Sequence, residues 1–350
     1  MSRMSSSPAT LQDIADRTGY GRSTVSMALR NHPSIPPETR QKIQDAAVAL
    51  SYRPNPLITA LMTQLKKKRR KYLETIALVT RAGLHLDKSS PANFYTILYK
   101  AIHERGAELG FKIDVFALGA EPLADDRLSQ ILITRGIHGV IFFPGGPKHQ
   151  EYPTLDWKHF AVVLIGFHSS WTKFHQIVSD YTHDIDLALQ VFKKSGGRRI
   201  GFAVPDELDA NIDYSWSSRF LHYQRWIPVK DRVPFAPCQN HVLERRSFMA
   251  WFEKHRPEAL LITGNEVYSW LKAEGYRVPE DVKLINLLQR GEKDLAGIDP
   301  CTSEVGHAAV DLMLSLLQSN QLGLPKFPHM TAIKGKWVPG PSFPGLKENG

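Results

Sequence analysis

Cysteine is nearly absent. Cys238 and Cys301 are the only thiols in 350 residues, so the chain can assemble neither a disulfide framework nor a four-cysteine metal site. Long apolar runs are absent too, and without 18 consecutive apolar residues no membrane-spanning helix is expected. The opening MSRMSSSPAT holds no apolar stretch of the kind a secretory signal needs, which makes the cytoplasm the expected compartment. Catalytic signatures are also missing: there is no Gly-x-Ser-x-Gly elbow, no Walker loop and no Gly-x-Gly-x-x-Gly. The 14 histidines are scattered, and Cys238-x-x-His241 has ligand spacing without a second pair. Neither an enzyme, nor a cofactor, nor a bound metal is expected.

Acidic charge is scarce in one region. Residues 1–71 carry 13 Lys/Arg against 4 Asp/Glu, whereas the remainder holds 31 of each. The whole excess of +9 therefore lies in the first fifth of the chain, the electrostatic footprint of a nucleic-acid-binding head on a neutral body.

What fills that region is TLQDIADRTGYGRSTVSMALRN, residues 10–31. Thr10 is a good helix N-cap with Asp13 three residues on, and Leu11, Ile14 and Ala15 form one apolar face. After the turn at Thr18 to Gly21, Val25, Ala28 and Leu29 fall at i, i+3, i+4 and pack back, leaving Arg22, Ser23, Ser26 and Met27 outside. A short polar outer face over a buried seam suits a recognition helix, although any small helical hairpin shares the pattern. A third helical stripe follows at Ile43, Ala46, Ala47 and Leu50, ended by the bend at Tyr52 to Pro56. The segment LITALMTQL then presents Leu57, Leu61, Met62 and Leu65 and runs into six cations at 66–71. A helix with nowhere of its own to bury that face is marginal in free solution and would be ordered by DNA and a partner chain; a basic run also serves as a solvated linker or a localisation signal.

From Thr10 to Leu65 the chain resembles the DNA-binding head and hinge of the lactose-repressor (LacI/GalR) family of bacterial transcription regulators. The matching residues are T-L-x-D-I-A from Thr10, Gly19 with Thr24-Val25-Ser26, Ala28 to Asn31, Glu38 to Arg40, and Tyr52 to Pro56. The resemblance implies a homodimer on a palindromic double-stranded operator, with recognition helices in successive major grooves and hinge helices in the minor groove between them. Carried over, Arg22, Ser23 and Met27 take base-reading positions; Thr10, Gly21, Thr24, Ser26 and Asn31 take backbone-positioning ones. Leu61 aligns with the wedging leucine of the hinge, with Asn55 and Lys66 beside it. Met27 stands where relatives often have Arg, and Ile58 where many have Ala.

From Glu74 short apolar runs alternate with helical patterns: TIALVT, KIDVFAL, GVIFFP, AVVLIGF, HQIVSD, RRIGFAVP, ALLIT and VKLINLL. That rhythm predicts an α/β core of two doubly wound lobes, with ligands at the carboxyl ends of the strands between them. Here too the chain is similar to the same family, through its periplasmic-binding-protein-like effector core. The expected division is an all-α head at 9–56, hinge and basic linker at 57–72, core at 73–340 and tail at 341–350. Within the core, 73–177 with 302–325 is assigned to the N-lobe, and 178–301 with 326–340 to the C-lobe.

Arg219 aligns with an arginine that relatives use to grip a sugar hydroxyl or a purine; a surface salt bridge is the other use for it. Asp180, Asn265 and Glu266 keep part of the family's polar equipment. Where a Gly-Phe-Asp-Asp stretch is expected, the chain reads Asn286-Leu287-Leu288-Gln289, so a ligand-gripping carboxylate is missing and Gln289 is the candidate left. Phe94, Tyr95, Phe143, Phe167, His168 and Trp216 are candidates to line the cleft by stacking, although aromatic residues also build ordinary core. Together these features imply a DNA-binding regulator, by family default a repressor, whose operator affinity responds to a sugar or sugar derivative in the cleft. The alternative is a soluble carbohydrate-binding or transport protein of the same core fold, which the basic head opposes.

Overall fold

Thr10 starts the first helix by a reciprocal cap: its N–H donates to Asp13 Oδ2 at 2.7 Å, and the Asp13 N–H donates to Thr10 Oγ1 at 3.4 Å. The structure is a computed structural model, in which the described residues are 9–50, 52, 74–81, 94–118, 125–142, 155–167 and 173–344. Helix α1 (Leu11–Thr18) ends at Gly19, whose φ of +76° is the left-handed cap that a Cβ would disfavour. Helices α2 (Arg22–Leu29) and α3 (Pro37–Ala49) complete the head. Ile14, Val25, Ala28 and Ile43 meet at its centre with no exposed surface. Arg40 fixes the turn between α2 and α3 by donating from Nη2 to the carbonyls of His32 (3.3 Å) and Ile35 (2.9 Å).

The first lobe runs β1 (Glu74–Arg81), α4 (Phe94–Leu109), β2 (Phe111–Leu118), α5 (Asp125–Thr134), β3 (Gly139–Phe142), β4 (Ala161–Ile165) and β5 (His175–Ser179). The chain then crosses to the second lobe: α6 (Tyr181–Lys194), β6 (Ile200–Ala203), α7 (Asp206–Asn211), α8 (Ser215–Gln224) and a small hairpin of β7 (Cys238–Gln239) and β8 (Val242–Leu243). It continues through α9 (Arg245–His255), β9 (Ala259–Ile262), α10 (Glu266–Ala273), β10 (Lys283–Asn286) and β11 (Ala296–Asp299). Helix α11 (Thr302–Gln318) and β12 (Met330–Ile333) return to the first lobe, and β13 (Lys336–Val338) ends in the second.

The first sheet has the order β12-β5-β4-β3-β1-β2 with every neighbouring pair parallel. The second is β13-β11-β10-β9-β6, parallel except at β13. Apolar clusters cover both faces of each sheet. Burial from two sides is why β4 and β9 read as unbroken apolar runs instead of alternating. Helices α4 and α11 cross closely at Gly306, where a Cβ would lie 2.8 Å from that of Ala101 and 3.2 Å from the Leu98 carbonyl oxygen.

Three boundaries differ from the sequence expectation. Residues 178 and 179 complete β5 of the first sheet, and β12 pairs with β5 from Met330↔Gln176 to Ile333↔Ser179, so 330–333 belongs to the N-lobe sheet and not to the C-lobe. Which sheet a four-residue edge strand joins is decided by a partner some 150 residues away, which local pattern cannot show. The third difference is at the tail: Ser342 and Phe343 are buried. Ser342 Oγ accepts from the Ala296 N–H and donates to the Leu284 carbonyl, both at 2.8 Å, locking 341–343 into the C-lobe.

Candidate nucleic-acid interface and inter-lobe cleft

Helix α2 starts at Gly21 without a side-chain cap. Its first two residues, Arg22 and Ser23, are exposed and their side chains make no hydrogen bond with any described residue, so those polar groups are available to a partner. Val25 and Ala28 hold the helix on α1 and α3 from the opposite side. Thr24 is half-buried. The other candidate positions are more engaged than the sequence suggests. Thr10 is occupied by the α1 cap. Ser26 receives Arg30, with Nε on its carbonyl and Nη2 on its hydroxyl, both at 3.0 Å. The Asn31 amide oxygen accepts from Gln44 Nε2 at 2.8 Å, and its carbonyl accepts from Asn320 of the core. Met27, expected outside, is half-buried and packs against the head core, because a long, unbranched thioether side chain can lie back onto apolar neighbours. Asn55, Leu61 and Lys66 of the hinge, with Phe143 and His168 of the core, lie outside the described residues.

Between the lobes, four segments at the carboxyl ends of parallel strands come together. Phe94 and Tyr95 open α4 after β1, their rings edge to face at 5.2 Å. Phe167 follows β4 and lies 6.0 Å from the ring of Tyr181, which opens α6 after β5. Arg290, in the loop after β10, reaches across from the C-lobe and sets its guanidinium carbon 5.3 Å from the centroid of Phe94. Burial pushes the Arg290 pKa down, opposed by the fields of Tyr181, Glu292, Tyr95 and Asp299. Burial likewise raises the phenols of Tyr95 and Tyr181, which stay neutral donors.

The sequence candidates divide around this cluster. Asp180 caps α6, its Oδ1 accepting from the His183 N–H at 3.0 Å. Trp216 is a core residue, buried and edge to face with Tyr181 at 5.3 Å. Asn265 and Glu266 are exposed at the start of α10. Arg219 forks onto Asp186, Nε to Oδ1 at 2.6 Å and Nη2 to Oδ2 at 2.7 Å, the salt bridge that was its alternative use. Gln289 is buried inside its own loop: Nε2 donates to the Glu292 and Leu295 carbonyls at 2.7 and 3.0 Å, and Oε1 accepts from the Gly291 N–H at 2.6 Å. With every hydrogen-bonding group so committed, Gln289 shapes the loop and does not grip a ligand.

Sequence reasoning passed over Arg290. For Arg290 a signal existed: a cation two residues after Leu288, where a carboxylate was expected. Several buried polar atoms near the same strand ends have no hydrogen-bond partner, namely Arg290 Nε, Asn286 Nδ2, Thr263 Oγ1 and Trp216 Nε1. Such groups are costly unless water or a ligand completes them. Among the described residues no cluster of His, Cys, Asp and Glu is placed to hold a metal ion, and no helix is long and apolar enough to cross a membrane.

The fold is that of a helix-turn-helix head joined to a periplasmic-binding-protein-like core. Known proteins agree. The family profile described as bacterial regulatory proteins, lacI family, matches residues 10–55, and that of a periplasmic binding protein-like domain matches residues 189–343. The transcriptional regulator DegA of Bacillus subtilis is 31% identical over 147 residues, 42% of this chain and 40% of that protein. Catabolite control protein A of Staphylococcus epidermidis is 18% identical over 338 residues, 93% of this chain and 98% of that one. In three dimensions a CelR–cellobiose complex superposes with a TM-score of 0.56 at 18% identity, covering 95% of this chain and 99% of the other. A lac repressor dimer bound to operator and an anti-inducer gives 0.53 at 18% identity over 96% and 99%. The chain thus carries a helix-turn-helix head of the lacI-family type and a periplasmic-binding-protein-like domain, and the relatives it resembles are named as transcriptional regulators and control proteins.

Proposed function

We propose that the chain is a homodimeric repressor that holds a palindromic operator and releases or tightens on it when a small molecule enters the inter-lobe cleft. The observation that carries the DNA half is the start of α2, where the side chains of Arg22 and Ser23 stand exposed and without a hydrogen bond to any described residue, on a helix anchored from behind by Val25 and Ala28. A guanidinium there suits bidentate contact with guanine O6 and N7. Leu61 and its neighbours act as the minor-groove hinge, a role carried by resemblance alone. For the effector half, support comes from the aromatic and cationic cluster between the lobes, and from relatives whose structures hold cellobiose, glucose or ribose. A sugar or sugar derivative is the corresponding class here. Three chain crossings join the lobes, so a ligand that favours one inter-lobe angle shifts the separation of the two hinges. Coupling of ~1–3 kcal/mol suffices and is reciprocal between operator and effector.

Genome-wide footprinting with the full chain tests this reading. A palindromic site, bound by a dimer with steep salt dependence, is the expected result. Binding that lacks a palindrome, or a monomer on DNA by analytical ultracentrifugation, overturns it.

A further inference from the structure

Arg290 stands out among the cations of the core. Its Nε is buried and without a partner, and no ion pair among the described residues includes it. The nearby carboxylates are already committed elsewhere. Glu292 Oε2 accepts the Arg290 backbone N–H at 2.6 Å. Asp299 accepts from the Cys301 N–H at 2.9 Å and faces Lys336 Nζ at 3.5 Å, and Asp180 caps α6. Arg219 is matched by Asp186 in a two-pronged ion pair, whereas the Arg290 guanidinium makes no such pair: it lies over the face of Phe94 and feels the fields of Tyr181, Glu292, Tyr95 and Asp299 without a carboxylate forked onto it.

The loop that carries it is braced. Gln289 ties together Gly291, Glu292 and Leu295 from inside, and Gly291 takes a φ of +105° that a side chain would strain. Arg290 is thus held at a fixed place between the lobes. A desolvated guanidinium with an open donor is unfavourable unless an acceptor completes it, and its positive charge and planar fork match carboxylate and phosphate oxygens best. Where the family resemblance leads one to expect a carboxylate, the chain has Leu288. The local charge preference is inverted, from gripping hydroxyl donors to gripping acceptors.

We propose that the cleft takes an anionic effector, a small ring-bearing molecule whose carboxylate or phosphate is held by Arg290 while its ring lies against Phe94, Tyr95 and Tyr181. This rests on the cleft being the effector site. It narrows the sugar class to acidic derivatives such as a hexuronate or a hexose phosphate.

The test uses the full-length protein and Arg290→Met, with Arg290→Lys as the variant that keeps charge but loses the fork. Binding of glucose, glucuronate and glucose 6-phosphate is measured by titration calorimetry. Inorganic phosphate serves as a minimal probe in thermal melts against equal ionic strength of chloride. The expected result is stabilisation by phosphate in the wild type beyond that in Arg290→Met, together with an acidic sugar binding at least tenfold more tightly than glucose. Arg290→Met should remove that preference and Arg290→Lys retain part of it. Glucuronate and glucose 6-phosphate separate the carboxylate from the phosphate source. Equal melts of the two proteins in phosphate, with no acidic sugar preferred, overturn the proposal, as does acid binding that survives Arg290→Met. Operator affinity, followed in parallel, keeps the two readings apart. An acid held by Arg290 without effect on operator binding sinks the effector role but leaves the anion site; glucose shifting operator affinity in both proteins does the reverse.

Discussion

Asp184 Oδ1 accepts the backbone N–H of Gly335 at 2.8 Å, which joins the first turn of α6 to the last crossing between the lobes. The side chain of Asp184 is fully buried, Oδ2 has no partner, and a Cβ on Gly335 would lie 2.5 Å from Oδ1 and 2.7 Å from the Asp299 carbonyl oxygen. Two crossings and the entry to a third are therefore packed around one carboxyl group.

Burial raises the Asp184 pKa to about 6, against the Gly335 hydrogen bond and the neighbouring His183, which lower it. The folded state holds this proton more tightly than the unfolded chain does. Its contribution to stability is complete below the unfolded pKa near 4, declines as pH rises to about 6, and is flat above. A shift of about two units corresponds to roughly 3 kcal/mol. Asp184→Asn keeps an acceptor for Gly335 and cannot ionise. Its stability relative to wild type should therefore rise by up to ~3 kcal/mol between pH 4 and pH 7, measured by urea denaturation at matched pH. A difference that does not change with pH would show that Asp184 is already ionised in the fold.

Base-reading and structural roles in the head separate by substitution. Arg22→Ala should lower operator affinity by ~1–3 kcal/mol and leave the melting temperature nearly unchanged, since the residue is exposed. Thr10→Ala should cost about 1 kcal/mol of head stability through the lost cap, and Thr10→Ser should restore it. Met27→Ala should lower both quantities, because the residue packs on the head core while standing at a base-reading position. Fluorescence anisotropy on operator DNA and calorimetric melts of the same samples provide the two readouts.

The Arg219–Asp186 pair is partly exposed and two-pronged, so a double-mutant cycle with Arg219→Ala and Asp186→Ala should return a coupling of about 0.5–1 kcal/mol. With its fork held by Asp186, Arg219→Ala should change effector affinity far less than Arg290→Met. The reverse order would return Arg219 to the ligand.

At Gly306 two effects oppose each other. Alanine improves helix propensity by ~1 kcal/mol, but its methyl group would press on Ala101 and on backbone atoms of α4 that cannot swing away. Overpacking of that kind costs about 1–3 kcal/mol, and with backbone as the obstacle the larger figure should win. Gly306→Ala is expected to destabilise the N-lobe by ~1–2 kcal/mol, and Gly306→Val by more, measured as shifts in denaturation midpoint.

Local order in the sequence was enough to determine the head. Thr10 with Asp13, Gly19, and the seam of Ile14, Val25 and Ala28 read as cap, turn and core because helical contacts lie three or four residues apart. The apolar runs likewise announced parallel strands buried on both faces. What only the tertiary structure decided was everything that depends on distant partners. Strand β12 joins β5 and not the C-lobe; Ser342 and Phe343 close the second sheet's core; Asp186, 33 residues away, takes the fork of Arg219. The cleft followed the same rule. Gln289 looked like the polar residue left at the end of β10, yet backbone groups of its own loop satisfy it, and the neighbouring Arg290 is the one that faces Phe94. A side chain's type is written in the sequence, but whether its hydrogen bonds remain available to a ligand depends on which groups the fold brings beside it.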